Sequence, residues 1–393
     1  MGNKGKYYFN SILEQFMLVF ATGSVLQTVL LEMGLTPETT NQFTAVQSAV
    51  QILAILAFSM WSDRVKKPIK GYGANCFAFF PFLIFLFLCC RSWTGSSLLF
   101  ALLFLTSIIY SKGTGVSNVL SYKMPYEIMD MAEYNKVSAT TGVLTGITAL
   151  ALSCGLTWLQ GKFSFLDLMQ SAFAIAVFTL LVRIFVIFSL KPTHTTSEKK
   201  DKSTQCQLFK YKPFTYFIIP NLIRGLSCGL IGMAVSIGYY SGHLDSYSAM
   251  LLMVITSVVT ILGCGIYAVI AGKIPERSIL LAASVGVFCF MPLITAYSST
   301  ISFLTFYGLA WFMVVFINYA VPVAVTKIAD YGTMGRYSAG RMLLHTAGAM
   351  LAGFLCVPLF RLIGVQPTMF IFAGMQLASG ICYYIYMKKN NIR

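Results

Sequence analysis

The fold class this sequence predicts is an all-α protein built into a membrane, and three observations carry that reading. Apolar runs of about 20 residues or more recur along the whole chain, the length a helix needs to cross ~30 Å of hydrocarbon. Charge is scarce, with 57% hydrophobic against 10% charged residues over 393 positions. The charged clusters that do occur fall between the apolar runs. Backbone groups in lipid must find partners inside their own segment, so the runs read as helices. The weak alternation within them argues against a β-barrel.

Twelve spans are expected in order. They cover 8–31, 39–61, 72–90, 97–121, 137–160 and 167–190, then 213–240, 246–271, 278–297, 301–326, 338–362 and 366–387. The polar stretch Lys191–Lys212 divides six from six. It predicts a six-helix bundle over 1–190, a solvated cytoplasmic linker over 191–212 and a second bundle over 213–393. Of the 28 Lys and Arg residues, 21 fall in segments assigned to the cytoplasm, 3 in outer loops and 4 within spans. That bias puts both termini in the cytoplasm and accounts for the net charge of +15 without nucleic acid. The ten cysteines show no paired spacing and no histidine clusters, so neither a disulfide frame nor a metal site is indicated.

The turn after span 2, Ser59–Lys70, packs Asp63, Arg64, Lys66, Lys67 and Lys70 between two apolar runs. Its counterpart after span 8 has Gly272 and Lys273 in the slots of Asp63 and Arg64. The connections Tyr122–Lys136 and Thr326–Arg341 also correspond. The halves therefore read as diverged repeats, a pattern that suits rocking around a site between them.

Twelve spans, the 6+6 division and D-R-x-x-K between spans 2 and 3 resemble the major facilitator superfamily. Asp63, Arg64 and Lys67 match its loop signature; Ser59, Lys66 and Pro68 depart from it. The resemblance implies a gate at this loop, with Asp63 facing the start of span 11 near Ser338, and a cavity lined by spans 1, 4, 7 and 10. Ala329-Asp330-Tyr331-Gly332 followed by Gly340-Arg341 resembles the glycoside–pentoside–hexuronide cation symporters, which adds Asp330 and Arg341 to the gating group. Those symporters carry a carboxylate pair in span 2. Here Gln47 and Gln51 stand in that helix, so sodium coupling is not expected.

An ionisable group at bilayer depth costs ~2.5–3.5 kcal/mol or more and calls for a role or a partner. Glu14 is the one acid placed well inside a span, on a stripe with Asn10, Ala21 and Thr28. It is a candidate proton-coupling carboxylate or, equally, a structural ion pair. Lys112 in span 4 and Arg224 in span 7 lie about 15 Å from the cytoplasmic end by helical rise. Asn221 shares the face of Arg224, and Arg341 and His345 form an i, i+4 pair in span 11. Trp311 and Asn318 share a face of span 10 and could hold a sugar ring. Glu14 and Lys112 could pair; Arg183 is expected to snorkel to the interface. Gly142-x-x-x-Gly146 and Gly225-x-x-x-Gly229 are expected to let helices approach closely.

The function expected is secondary transport of a small polar solute, sugar-like or anionic, across the plasma membrane, with protons favoured as the coupling ion over sodium. Lys112, Arg224, Asn221, Trp311, Asn318, His345 and Gln51 are the candidate solute contacts. Efflux of amphipathic compounds and a non-transporting membrane sensor remain as rivals. No phosphate-binding loop and no catalytic constellation points to an enzyme, no cofactor is implied, and a monomer in the lipid bilayer is expected.

Overall fold

A computed structural model of the chain describes residues 2–62, 65, 67–92, 95–121, 124–129, 131–192, 212–270, 272–326 and 334–389. Its described elements are helical. The first half comprises α1 (Asn3–Ala21), α2 (Gly23–Glu32), α3 (Pro37–Ser62), α4 (Pro68–Asn75), a 3-10 turn at Cys76–Phe79 and α5 (Phe80–Ser92). It continues through α6 (Ser97–Leu120), α7 (Met124–Ile128), α8 (Met131–Gln160) and α9 (Phe165–Phe188). The second half comprises α10 (Lys212–Gly232), α11 (Ala234–Tyr240), α12 (Ser246–Ile270), α13 (Glu276–Phe290) and a 3-10 turn at Met291–Thr295. The chain closes with α14 (Thr300–Thr326), α15 (Met334–Ile363) and α16 (Val365–Lys389).

Eleven helical segments among the described residues are long and apolar enough to cross a membrane. The expected seventh span, 213–240, is not one of them; there the chain divides at Met233 into α10 and α11. Span 1 is divided as well. Thr22 is extended at φ −140° and Gly23 follows at φ +60°, a left-handed conformation that glycine adopts without a Cβ penalty. The hydroxyl of Thr22 donates to the Leu18 carbonyl at 2.6 Å, which also accepts the Thr22 N–H at 3.1 Å. The stripe expected to run from Asn10 to Thr28 is therefore interrupted. Pro220, Pro322 and Pro358 sit inside unbroken helices.

Helix pairings repeat between the halves. In the first half α1 packs on α8 and α9, α3 on α6, and α5 on α6 and α9. In the second, α10 packs on α15 and α16, α12 on α14, and α13 on α14 and α16. Buried apolar side chains gather into one large cluster within 17–190, joined by Met250 and Met253, and another within 217–387. The halves meet where α3 lies on α15 and α8 on α12.

Two ends of this assembly can be told apart. On the linker face, where α9 ends and α10 begins, Ile55, Val119 and Ala339 join α3, α6 and α15. On the far face, Arg361 pairs with Glu38, and Gln27 Nε2 donates to the Gly232 carbonyl at 3.0 Å. Far-face helix starts are capped by short polar side chains that accept otherwise bare N–H groups. Ser96 and Ser164 do this for α6 and α9. Asp245 accepts the Ser248 N–H at 2.8 Å, which holds its carboxyl below the usual range.

Close approach accompanies both glycine pairs. A Cβ added to Gly225 would collide with the His345 backbone, and one added to Gly229 would sit 2.7 Å from the Ala349 Cα. In α8, added Cβ atoms at Gly142 and Gly146 would crowd Tyr319 of α14 and Ile261 of α12. The aromatic residues of the third span do not all face outward. Phe77 is exposed, whereas Phe79 and Phe82 pack on the buried Tyr110 ring.

Candidate functional site

Two buried polar nests occupy matching places in the halves. In the first, the one-turn spacing of Asn10 and Glu14 turns both toward α9, where Arg183 is fully buried. Arg183 Nη2 lies 2.6 Å from Glu14 Oε1, and Arg183 Nε donates to Asn10 Oδ1 at 3.2 Å. The Tyr72 hydroxyl, from α4, donates to Glu14 Oε1 at 3.1 Å and accepts from Arg183. Only Nη1 of the guanidinium lacks a partner. Glu14 is the open member, its side chain 30% exposed.

This corrects two expectations. Arg183 does not snorkel, because its charge is met inside the bundle by a carboxylate. Glu14 pairs with Arg183 rather than with Lys112. Lys112 is exposed, on a stripe of α6 with Leu98, Leu105 and Ile109. Gly113 and Gly115, which abut Phe79 and Gln51, mark the sides of α6 turned inward.

The second nest is built from α10, α14, α15 and α16. Asn10 and Asn221 stand equally far before the breaks at Thr22 and Met233, and Arg183 and Tyr383 stand equally far into α9 and α16. Arg224 is 3% exposed and Asn221 1%. One Arg224 nitrogen, Nη2, donates to Asn318 Oδ1, while Nε and Nη1 have no partner. Asn221 Nδ2 donates to the Phe217 carbonyl at 2.7 Å, leaving its Oδ1 unpartnered. The Tyr383 hydroxyl and His345 Nδ1 are also unpartnered, and both lie within electrostatic range of Arg224. Asn318 is the exposed member of this group.

The remaining candidates lie around these nests. Arg341 is buried one turn before His345, with Nη2 at 3.6 Å from Met342 Sδ. Trp311 is half-buried, stacks on Tyr307 and donates its indole N–H to Thr260 Oγ1 at 3.3 Å. Gln51 is half-buried, and its backbone carbonyl lies under Gly115. Lys67 is exposed at the start of α4, where the buried Glu127 accepts the Ile69 N–H at 3.3 Å. Burial pushes the Glu127 carboxyl up. Asp63, Arg64 and Asp330 lie outside the described residues.

Sequence reasoning brought Arg224, Asn221, Asn318 and His345 into one list, and the structure gathers them. It missed Tyr72, Tyr383 and the role of Arg183. The available signal was Arg183 itself, a base deep in span 6 with one acid elsewhere at membrane depth to meet it.

The chain aligns over nearly its full length with solved transporters. A point-mutant crystal structure of the nucleoside transporter NupG superposes with a TM-score of 0.68 at 14% identity, covering 98% of this chain and 100% of that one. The D-xylose–proton symporter gives 0.72 at 12% identity, covering 98% and 97%. Unmutated NupG gives 0.65 at 13%, covering 99% and 100%. No family model matches the chain, and no curated protein matches it. The chain thus shares the fold of these solved membrane transporters.

Proposed function

We propose that this chain is a secondary active transporter of the plasma membrane, importing a small polar solute, sugar-like or anionic, by alternating access coupled to protons. Twelve spans form two six-helix bundles, 1–190 and 213–393, with the broken pair α10–α11 as the seventh span. The linker at 191–212 and both termini face the cytoplasm, which the excess of Lys and Arg in those segments supports. The recurring helix pairings and the two apolar clusters support the bundles. Asp63, Arg64, Lys67, Asp330 and Arg341 form the cytoplasmic gate.

The observation that carries proton coupling is the Glu14–Arg183 pair. A carboxylate partly open to solvent leans on a guanidinium that has no access to solvent. Adding a proton to Glu14 removes the only charge facing Arg183 among its described partners, so proton uptake and the loosening of α1 from α9 become one event. Nucleosides and D-xylose, the solutes of the solved transporters that share this fold, are small polyhydroxyl molecules. In proteoliposomes, Glu14→Gln abolishes uphill uptake and leaves counterflow exchange of the same solute. Unchanged uphill uptake would sink the proton role.

A further inference from the structure

We propose that the Arg224 nest is a receptor for a small carboxylate bearing a hydroxyl group, with Asn318 as a stopper that the carboxylate displaces. This deepens the transport reading and rests on it for the route the solute takes; the binding test below does not.

A guanidinium in the middle of a bundle is ordinarily met by a carboxylate, because an unbalanced buried charge is costly. Arg183 obeys that rule and Arg224 does not. Among the described residues its side-chain partners are neutral, the amide of Asn318 and the thiol of Cys228, and neither Nε nor Nη1 makes a geometrically sound hydrogen bond. The planar fork of such a group suits two carboxylate oxygens, and charge-assisted bonds of this kind are about twice as strong as neutral ones. A carboxylate oxygen entering where Asn318 Oδ1 now sits therefore improves on the bond it replaces.

The rest of the nest asks for a hydroxyl. Asn221 gives one amide N–H to the Phe217 carbonyl and holds out an unpartnered oxygen that accepts. Tyr383 adds a hydroxyl and His345 a ring nitrogen, both unpartnered and within electrostatic range of Arg224, and none of the described residues named here supplies a carboxylate. A neutral polyol would satisfy Asn221 but leave the charge of Arg224 unbalanced. Entry is from the side of Asn318, the exposed residue of the group.

The test uses full-length protein in detergent and reads its unfolding temperature. Lactate and gluconate are the acidic probes, propane-1,2-diol and glucitol their uncharged counterparts, and inorganic phosphate a third class. Saturating acid raises Tm by ~3 °C or more, and the uncharged probes do not. Asn318→Asp supplies a built-in carboxylate: it raises Tm without any probe and removes the response to acid. Arg224→Gln also removes that response. If Arg224→Gln fails to fold, the acid–alcohol contrast and Asn318→Asp still decide. Equal shifts from acid and alcohol, a shift from phosphate alone, no shift from either acid, or an acid response surviving in Asn318→Asp each overturn the receptor. Counterflow of xylose or nucleosides without any carboxylate shift would overturn the receptor and leave transport standing. A carboxylate shift in protein that exchanges no solute at all would do the reverse.

Discussion

In the first half Arg183 is surrounded by Glu14, Tyr72 and Asn10; in the second Arg224 has Asn318, with Asn221, His345 and Tyr383 close by and idle. The two guanidinium groups lie on α9 and α10, and each stands near an asparagine at the same distance from a helix break. One nest is balanced in charge with a single guanidinium nitrogen unpartnered, the other lacks a carboxylate among its described residues and leaves more polar atoms unpartnered. Under the proposed function the two nests would serve separate tasks. A balanced pair can be switched by a proton, whereas an unbalanced one is suited to a ligand.

The comparison can be broken at three levels of effect. The largest concerns the frame of the second nest, where α10 and α15 touch backbone to backbone. Gly225→Val should cost more than ~3 kcal/mol, because a rigid side chain would have to displace the His345 backbone. Size-exclusion profiles of detergent-solubilised protein should show little folded material, while Gly155→Ala, with open space around it, stays monodisperse. A folded Gly225→Val protein would mean that the second nest does not depend on that contact.

Next in size is the charge contrast itself. Glu14→Leu strands Arg183 and should destabilise by ~3 kcal/mol, whereas Arg224→Met removes a charge with no acid partner and should cost less than ~1 kcal/mol. Thermal unfolding of the two variants side by side reads the difference, and equal losses would erase it. The smallest effect separates the asparagines. Asn10→Ala removes an acceptor from a charged donor and should cost ~1.5–2 kcal/mol; Asn221→Ala, losing one neutral bond and one idle oxygen, should cost ~1 kcal/mol or less. The reverse order would show that Asn221 already has a partner that Asn10 lacks.

What the sequence revealed and what it hid follow from the range of each force. Span positions were legible because crossing the bilayer is a demand on each stretch separately, and 57% apolar composition meets it openly. The helix breaks were not. Proline, the local breaker, sits in continuous helices at 220, 322 and 358, while the chain departs from helix at Thr22 and Met233. Arg224 and Asn318 were legible as polar groups at membrane depth, and they meet. Lys112 was equally legible by depth and lies elsewhere, because depth does not fix which face of a helix a residue occupies. The Glu14–Arg183 pair joins residues distant in sequence on helices α1 and α9, so no spacing rule could reveal it.

The two breaks have a consequence for wetting. Gln27 in α2, just past the first break, donates to the carbonyl of Gly232, just before the second. When the halves part on the far face, that carbonyl and that amide lose each other. A bare backbone carbonyl in hydrocarbon costs several kcal/mol, but one beside a parting seam can be hydrated instead. Water drawn in by these two groups replaces their mutual bond nearly in kind. Were the far face to open, this contact would mark a point at which solvent could enter.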